Sequence, residues 1–149
     1  MDLNVFRQNS FFKQKKSINS YNTQEDYEKY SLRSKLDIDL TQTTQMELNI
    51  YGLMTRNNDV GGQVDSIYSQ IYTTPRNAYP KLNPNGSLGG SDYYKKNLYG
   101  QSIYSGYHTN NATDFSIDVR LNQDLGSLLK GLYASLMYSY NSIYRDSYL

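Results

Sequence analysis

Cysteine and tryptophan are absent, proline occurs three times and histidine once. Without cysteine the chain has no disulfide and no thiolate metal site. The single histidine, His108, is too little on its own for a zinc centre or a His-based catalytic relay. No run of about 18 apolar residues exists, which excludes a membrane-crossing helix. An excess of one charge is missing too: 15 Lys and Arg face 14 Asp and Glu, for a net +1, so there is no electrostatic case for a nucleic-acid partner. Hydrophobic residues are also scarce. They make up 38% of the 149 residues, below the roughly 45–50% apolar usage of soluble domains.

Tyrosine, in contrast, is abundant, at 17 residues against four phenylalanines. Two classes share such a polar, aromatic profile: low-complexity disorder and the transmembrane β-barrel, whose lumen and loops are polar and whose lipid face is a thin apolar band. Periodicity separates them. Leu32, Ser34, Leu36, Ile38 and Leu40 fall on one face of a strand, with Arg33, Lys35, Asp37, Asp39 and Thr41 on the other. After Gln42-Thr43-Thr44 the alternation resumes, with Met46, Leu48, Ile50 and Met54 opposed by Glu47, Asn49, Tyr51 and Thr55. Pairing Leu40 with Met46 and Ile38 with Leu48 requires an odd turn, expected at 42–44, and sets Asp39 against Glu47. Phe115, Ile117, Val119 and Leu121 repeat the pattern, as do Leu132, Ala134, Leu136, Tyr138 and Tyr140. Pairing Leu121 with Leu132 needs an even turn, for which Gly126-Ser127 offers a type II′ centre, and four or six residues fit equally.

The expected fold is therefore all-β: an antiparallel transmembrane β-barrel segment of about four strands, each of about ten residues, in two hairpins. Residues 1–30 are expected to be a strand end and a solvated loop carrying Phe11-Phe12, Lys13, Lys15 and Lys16. Residues 31–55 and 105–145 are the hairpins. Residues 56–104 are a long extracellular loop, in which Arg56-Asn57-Asn58-Asp59 breaks the strand. In this loop Val64, Ile67, Tyr68, Ile71 and Tyr72 recur at helical spacing, ended by Pro75 and Pro80, and Asn83-Pro84-Asn85-Gly86 supplies turn chemistry. Short turns alternating with a long loop match periplasmic turns and extracellular loops. Tyr99, Tyr104 and Tyr107 at the start of the third strand, with Tyr138, Tyr140 and Tyr144 late in the fourth, suit an outer aromatic girdle. Four strands cannot close a barrel, which needs about eight. Met1–Phe6 also lacks a basic stretch followed by an apolar run, so no secretory leader is read there. The sequence is expected to be a truncated frame or an excised segment. The competing expectation is a soluble β-sandwich surface binding module, whose apolar faces would meet across a core.

Tyr30-Ser31-Leu32-Arg33-Ser34-Lys35-Leu36-Asp37-Ile38-Asp39-Leu40 resembles the hairpin strand of SusC/RagA-type TonB-linked outer-membrane receptors, with Lys35 where that pattern carries Asn. Pro75-Arg76-Asn77-Ala78-Tyr79-Pro80 resembles their surface-loop element. Ser105-Gly106-Tyr107, Phe115-Ser116-Ile117-Asp118 and Leu128-Leu129-Lys130-Gly131-Leu132 resemble a further hairpin. The resemblance runs from about residue 11 to 145. It implies a segment of a barrel of about 22 strands in the outer membrane of a Gram-negative, Bacteroidetes-like cell. It also implies TonB-driven import of an oligosaccharide or peptide ligand, a capping SusD-like lipoprotein partner, outer-membrane lipid around the barrel, and TonB contact through parts of the receptor beyond this sequence.

No catalytic residue, metal site or cofactor is expected, and no enzyme activity. Asp37 and Asp39 are same-face carboxylates that lumen polarity accounts for, and His108 beside Asn110 and Asn111 is expected in a strand-edge loop. Asp59 and Asp92 lack EF-hand spacing. The candidate ligand or partner contacts are the loop tyrosines Tyr68, Tyr72, Tyr79, Tyr93 and Tyr94, since tyrosine stacks on sugar rings and packs against protein partners. The competing expectation is that they pin the loop to itself.

Overall fold

In the computed structural model, which describes residues 1–10 and 20–149, the strands form one antiparallel sheet of five, in sequence order. They are β1 (Asp2–Asn9), β2 (Asp26–Thr41), β3 (Thr44–Val60), β4 (Tyr107–Asp124) and β5 (Tyr133–Tyr148), with helices α1 (Val64–Thr73) and α2 (Leu98–Tyr104) between β3 and β4. The four expected strands are present. The fifth is β1, in the 1–30 segment expected to hold a strand end and a loop; its eight residues form a strand paired along the edge of β2. Phe11-Phe12 and the lysines at 13, 15 and 16 lie outside the described residues.

The strands are also longer than expected, at 16 to 18 residues for β2 to β5. Hydrophobic alternation marks only the stretch with an apolar face, whereas the backbone ladder needs no apolar side chain to continue. Thus β3 runs on through Arg56-Asn57-Asn58-Asp59, and β4 begins at Tyr107 and includes His108. The helix at α1 follows its predicted spacing. It stops at Thr74, whose N–H bonds Gln70 O at 2.9 Å just before Pro75. Helix α2 is unanticipated and takes in Tyr99 and Tyr104, so those two rings do not start a strand. They pack edge-on to each other, centroids 6.4 Å apart.

Side-chain contacts fix which residues share a face. The Arg33 guanidinium lies 5.4 Å over the Tyr51 ring, which puts the odd residues of β2 and β3 together. Only Gln42 and Thr43 separate these strands, one fewer than expected, so the turn length alone would not align the two apolar sides, and their shared face is read from the Arg33–Tyr51 contact. Glu47 is not left against Asp39: it accepts from Asn122 at 3.1 Å and pairs with Arg120 at 3.9 Å. Asn122 in turn accepts from Ser135 at 2.7 Å. One polar face therefore carries Arg33, Tyr51, Glu47, Arg120, Asn122 and Ser135. The opposite face carries Leu36, Ile38, Leu40, Leu48, Ile50, Phe115, Val119 and Leu136. The turn between β4 and β5 is closed by the Leu125 N–H to Leu132 O bond at 3.0 Å, leaving six residues between them. Gly126 does not have the positive φ that a type II′ centre requires; Gly131 does, at 86°. In this register Leu121 stands opposite Leu136 rather than Leu132.

The chain divides into two compact units. The first is Met1–Arg7, Glu28–Arg56 and Asn111–Asp146; the second is Gln8–Tyr27, Asn57–Asn110 and Ser147–Leu149. No residue of the first unit is buried. Leu36, Leu40 and Leu136 are 47%, 52% and 70% exposed. Arg7, on the same face as Leu3 and Val5, pairs with Glu28 at 3.5 Å and donates to Tyr30 Oη at 2.7 Å. Among the described residues the buried hydrophobic ones, Val60 and Ile67, both belong to the second unit.

Where β3 ends, the Gly61 N–H bonds Gly106 O at 3.0 Å, and a Cβ on Gly61 would meet the Ser105 carbonyl oxygen at 2.1 Å. Both walls of this contact are backbone, so neither can swing away. Gly61→Ala is expected to destabilise the second unit by about 1–3 kcal/mol. Amide exchange at position 61 and at Thr109 should accelerate accordingly, and unchanged protection would refute the assignment.

Candidate functional site

The second unit is organised by two buried asparagines used in the same way. Asn58, in β3, donates to Gln24 O at 2.6 Å and to Asn22 O at 3.3 Å, while its Oδ1 accepts from the Thr109 hydroxyl at 2.7 Å. Both amide hydrogens and the carbonyl are satisfied, as burial demands. The side chain thereby ties the approach to β2, the end of β3 and the start of β4 together. Asn97 does the equivalent for the long loop. It donates to Lys81 O at 3.1 Å and Gly89 O at 2.7 Å and caps α2 by accepting from the Gly100 N–H at 3.1 Å.

The five candidate tyrosines divide between two roles. Tyr68, on α1, donates to Glu25 Oε2 at 3.0 Å; burial, followed by the bond to Glu25, raises its phenol above the ordinary value. Tyr79 accepts the Leu98 N–H at 3.1 Å and packs against Tyr94, ring centroids 6.5 Å apart. These three hold the unit's own chain. Tyr72 and Tyr93 are 87% and 95% exposed and present their rings to solvent. The structure brings Tyr79 and Tyr94 together; Tyr68 is engaged on Glu25 instead.

The concavity that the tyrosines did not reveal lies at the strand ends of this unit. A cavity of about 680 Å³ is lined by Glu25, Asn57, Asp59, Gln63, Asp65 and His108 together with Val60, Gly61, Gly62, Val64 and Leu149. A smaller one, of about 140 Å³, shares Glu25 and Asn57 and includes Tyr27 and Tyr68. Asn57 and Asp59 lie two apart on one side of β3, and Asn57 Nδ2 donates to Asp59 Oδ2 at 2.6 Å. Burial raises the Asp59 carboxyl above its ordinary value, opposed by that amide and by His108. Asp65 occupies the first turn of α1, where the helix end favours a carboxylate. Among the described residues, no lysine or arginine lines this cavity. Among the described residues no group of three or more His, Cys, Asp or Glu side chains is placed to hold a metal ion.

Sequence reasoning missed this site because its groups are far apart in the chain. One signal for it was present. Asn58 and Thr109 are polar at positions whose alternation belongs to the apolar face, which marks a hydrogen-bonded buried pair rather than a solvated one. Compared with family models, curated proteins and solved structures, the chain matches none.

Two outcomes follow. Asn58→Ala leaves two carbonyls and a hydroxyl without their partner and is expected to cost about 2–3 kcal/mol, seen as a lower denaturation midpoint. Tyr93→Ala should stay within about 0.5 kcal/mol of the parent. Asp59 sets a pH dependence. Its folded-state value is raised, so its stabilising contribution is complete below the ordinary carboxyl value and is lost as pH climbs through the raised one. Asp59→Asn should flatten this part of the profile above the ordinary carboxyl value, measured by denaturation from acid to neutral pH. A parallel profile for the variant would contradict the burial argument.

Proposed function

We propose that the chain is a length of wall from an outer-membrane β-barrel receptor of the SusC/RagA type, serving uptake of an oligosaccharide or peptide with a SusD-like lipoprotein as its cap. The observation that carries this reading is the first unit: an antiparallel sheet with one apolar face, one hydrogen-bonded polar face and no buried residue. Leu36, Ile38 and Leu40 are 47%, 38% and 52% exposed, and each forfeits in water a good part of the about 1.5–3 kcal/mol that full burial of such a side chain is worth. A whole domain retains only about 5–15 kcal/mol. Hydrocarbon removes that penalty and accepts the alternation directly.

Dimensions support the same reading. From Tyr30 to Leu40 the strand advances about 33 Å at about 3.3 Å per residue. With a tilt of about 40° this spans about 25 Å, the height of the apolar band of a membrane barrel. At one end of that span stand Tyr30, Arg7 and Glu28, amphipathic and charged groups suited to the interface. A soluble sandwich would need a second layer over Leu36, Ile38 and Leu136, and the described residues form a single sheet.

The test uses the face assignment. Ile38→Lys puts a charge on the apolar side and is expected to cost about 2–4 kcal/mol near the bilayer midplane, whereas Asp37→Lys on the polar side is tolerated. Insertion of the two variants into phosphatidylcholine vesicles, followed by protease protection, should differ strongly. A chain that melts cooperatively as a monomer in detergent-free buffer, with Ile38→Lys and Asp37→Lys alike, would end the proposal.

A further inference from the structure

We infer that Asn85 is a site of self-modification, at which the backbone nitrogen of Gly86 displaces the side-chain amide as ammonia and water then leaves aspartate or isoaspartate. The inference concerns the long loop alone and is independent of the membrane reading. Asn85-Gly86 is the one Asn-Gly step in the sequence. Both residues are exposed, at the tip of a hairpin whose arms meet at the Leu82–Leu88 bridge. The base of that hairpin is clamped, because buried Asn97 donates to Lys81 O at 3.1 Å and to Gly89 O at 2.7 Å. The tip thus meets water on a fixed base.

The hydrogen bonds at the tip act on the group that is attacked. Asn85 Oδ1 accepts the Ser87 N–H at 3.1 Å and the Ser87 hydroxyl at 2.7 Å. The first of these bonds closes a ring that contains the Gly86 nitrogen. The hydroxyl has a single proton to give. Asn83 Nδ2 donates to Ser87 Oγ at 2.9 Å, which leaves that proton aimed at Oδ1 and strengthens its bond. Two donors therefore converge on the oxygen where negative charge develops as Cγ becomes tetrahedral. Gly86 has no side chain to crowd its nitrogen, and its φ of 82° favours glycine. Asn83 shares the turn but precedes Pro84, whose nitrogen carries no proton and cannot close the same ring.

The reaction balances with water alone. The Gly86 N–H, which donates to Asn83 O at 2.9 Å, leaves that bond and gives its proton to hydroxide. The nitrogen's electron pair then forms a bond to Asn85 Cγ. The Cγ–Nδ2 bond breaks, and Nδ2 departs as ammonia after taking a proton from water. Hydrolysis of the resulting cyclic imide at Cγ restores the main chain and gives aspartate. Hydrolysis at the Asn85 backbone carbonyl gives isoaspartate, with Cβ and Cγ now in the main chain. In sum a water enters and an ammonia leaves, with no change of oxidation state. The aspartate keeps both Ser87 bonds, now charge-assisted. The isoaspartate lengthens the tip and opposes the Asn83 N–H to Ser87 O bond of 2.8 Å.

The experiment incubates the full chain in a nonionic detergent and mildly alkaline buffer, and follows every asparagine-containing peptide by mass and by isoaspartate content. Asn85 is expected to convert ahead of the other asparagines, with Asn83 in the same peptide unchanged. Ser87→Ala removes the hydroxyl donor. At an exposed site that donor is worth far less than the roughly hundredfold of a buried oxyanion hole, and the variant is expected to slow conversion about fivefold. Ser87→Thr keeps the hydroxyl and should convert at nearly the parent's rate. In concentrated urea the turn is lost, and parent and Ser87→Ala should convert alike. The inference is overturned if Asn85 persists as long as Asn83, if Ser87→Ala matches the parent in the folded chain, or if it slows the urea-unfolded chain as much. The comparison of Asn85 with Asn83 needs no variant, so a folding defect cannot blur it.

Discussion

One constraint governs the first unit. Successive residues on a strand face opposite sides, so a sequence that alternates Leu, Ile and Val with Asp, Arg and Ser forces an apolar side on whatever sheet it builds. A soluble protein answers with a second layer; this sheet has none among the described residues. The polar side, in contrast, is well provided for: Glu47, Arg120, Asn122 and Ser135 link β3, β4 and β5 by side-chain contacts. The sheet is thus specified by hydrogen bonds on one side and left to its surroundings on the other.

That constraint also explains what could be read directly from the residues. Alternation placed the central parts of β2, β3, β4 and β5 and assigned their faces, and the Arg33–Tyr51 stack agrees with it. It was silent wherever the ladder continues without an apolar side, as in Asn57 to Val60 and Tyr107 to Asn111. For residues 1–30 the reading gave only a strand end and a loop, and did not place β1, whose eight residues pair along the edge of β2. Helix α2 escaped because its seven residues include Gly100, ordinarily a poor helix former. A Cβ there would approach Leu88 Cδ1 to 2.5 Å, so any larger residue has to displace that exposed leucine side chain. The second turn kept its even length and missed its register by a longer loop, with the left-handed residue at Gly131 instead of Gly126.

The candidate site was less legible for a related reason. Tyrosine in a long loop has two uses, and composition does not distinguish them. Tyr68 and Tyr79 spend their hydroxyls on Glu25 and on the Leu98 amide, and Tyr94 packs on Tyr79. The carboxylates of the cavity come from the approach to β2, the end of β3 and the first turn of α1. Only the extended ladder brings them together.

The strands themselves carry the strongest reason to distinguish two environments. In the first unit the outward parity holds Leu36, Ile38 and Leu40, and these are exposed. In the second unit the same parity of β3 and β4 holds Asn58, Val60 and Thr109, and all three are buried, with Asn58 hydrogen-bonded on every side. A strand in uniform water has no reason to cover its polar end and leave its leucines open. On the proposed membrane reading the reversal has a reason: a strand that leaves hydrocarbon for water must have its polar groups satisfied beyond the apolar band, while a cover within the band would displace lipid to no advantage. The reversal falls between Met54 and Asn58 on β3 and between Thr109 and Phe115 on β4, the same stretches in which the two compact units part.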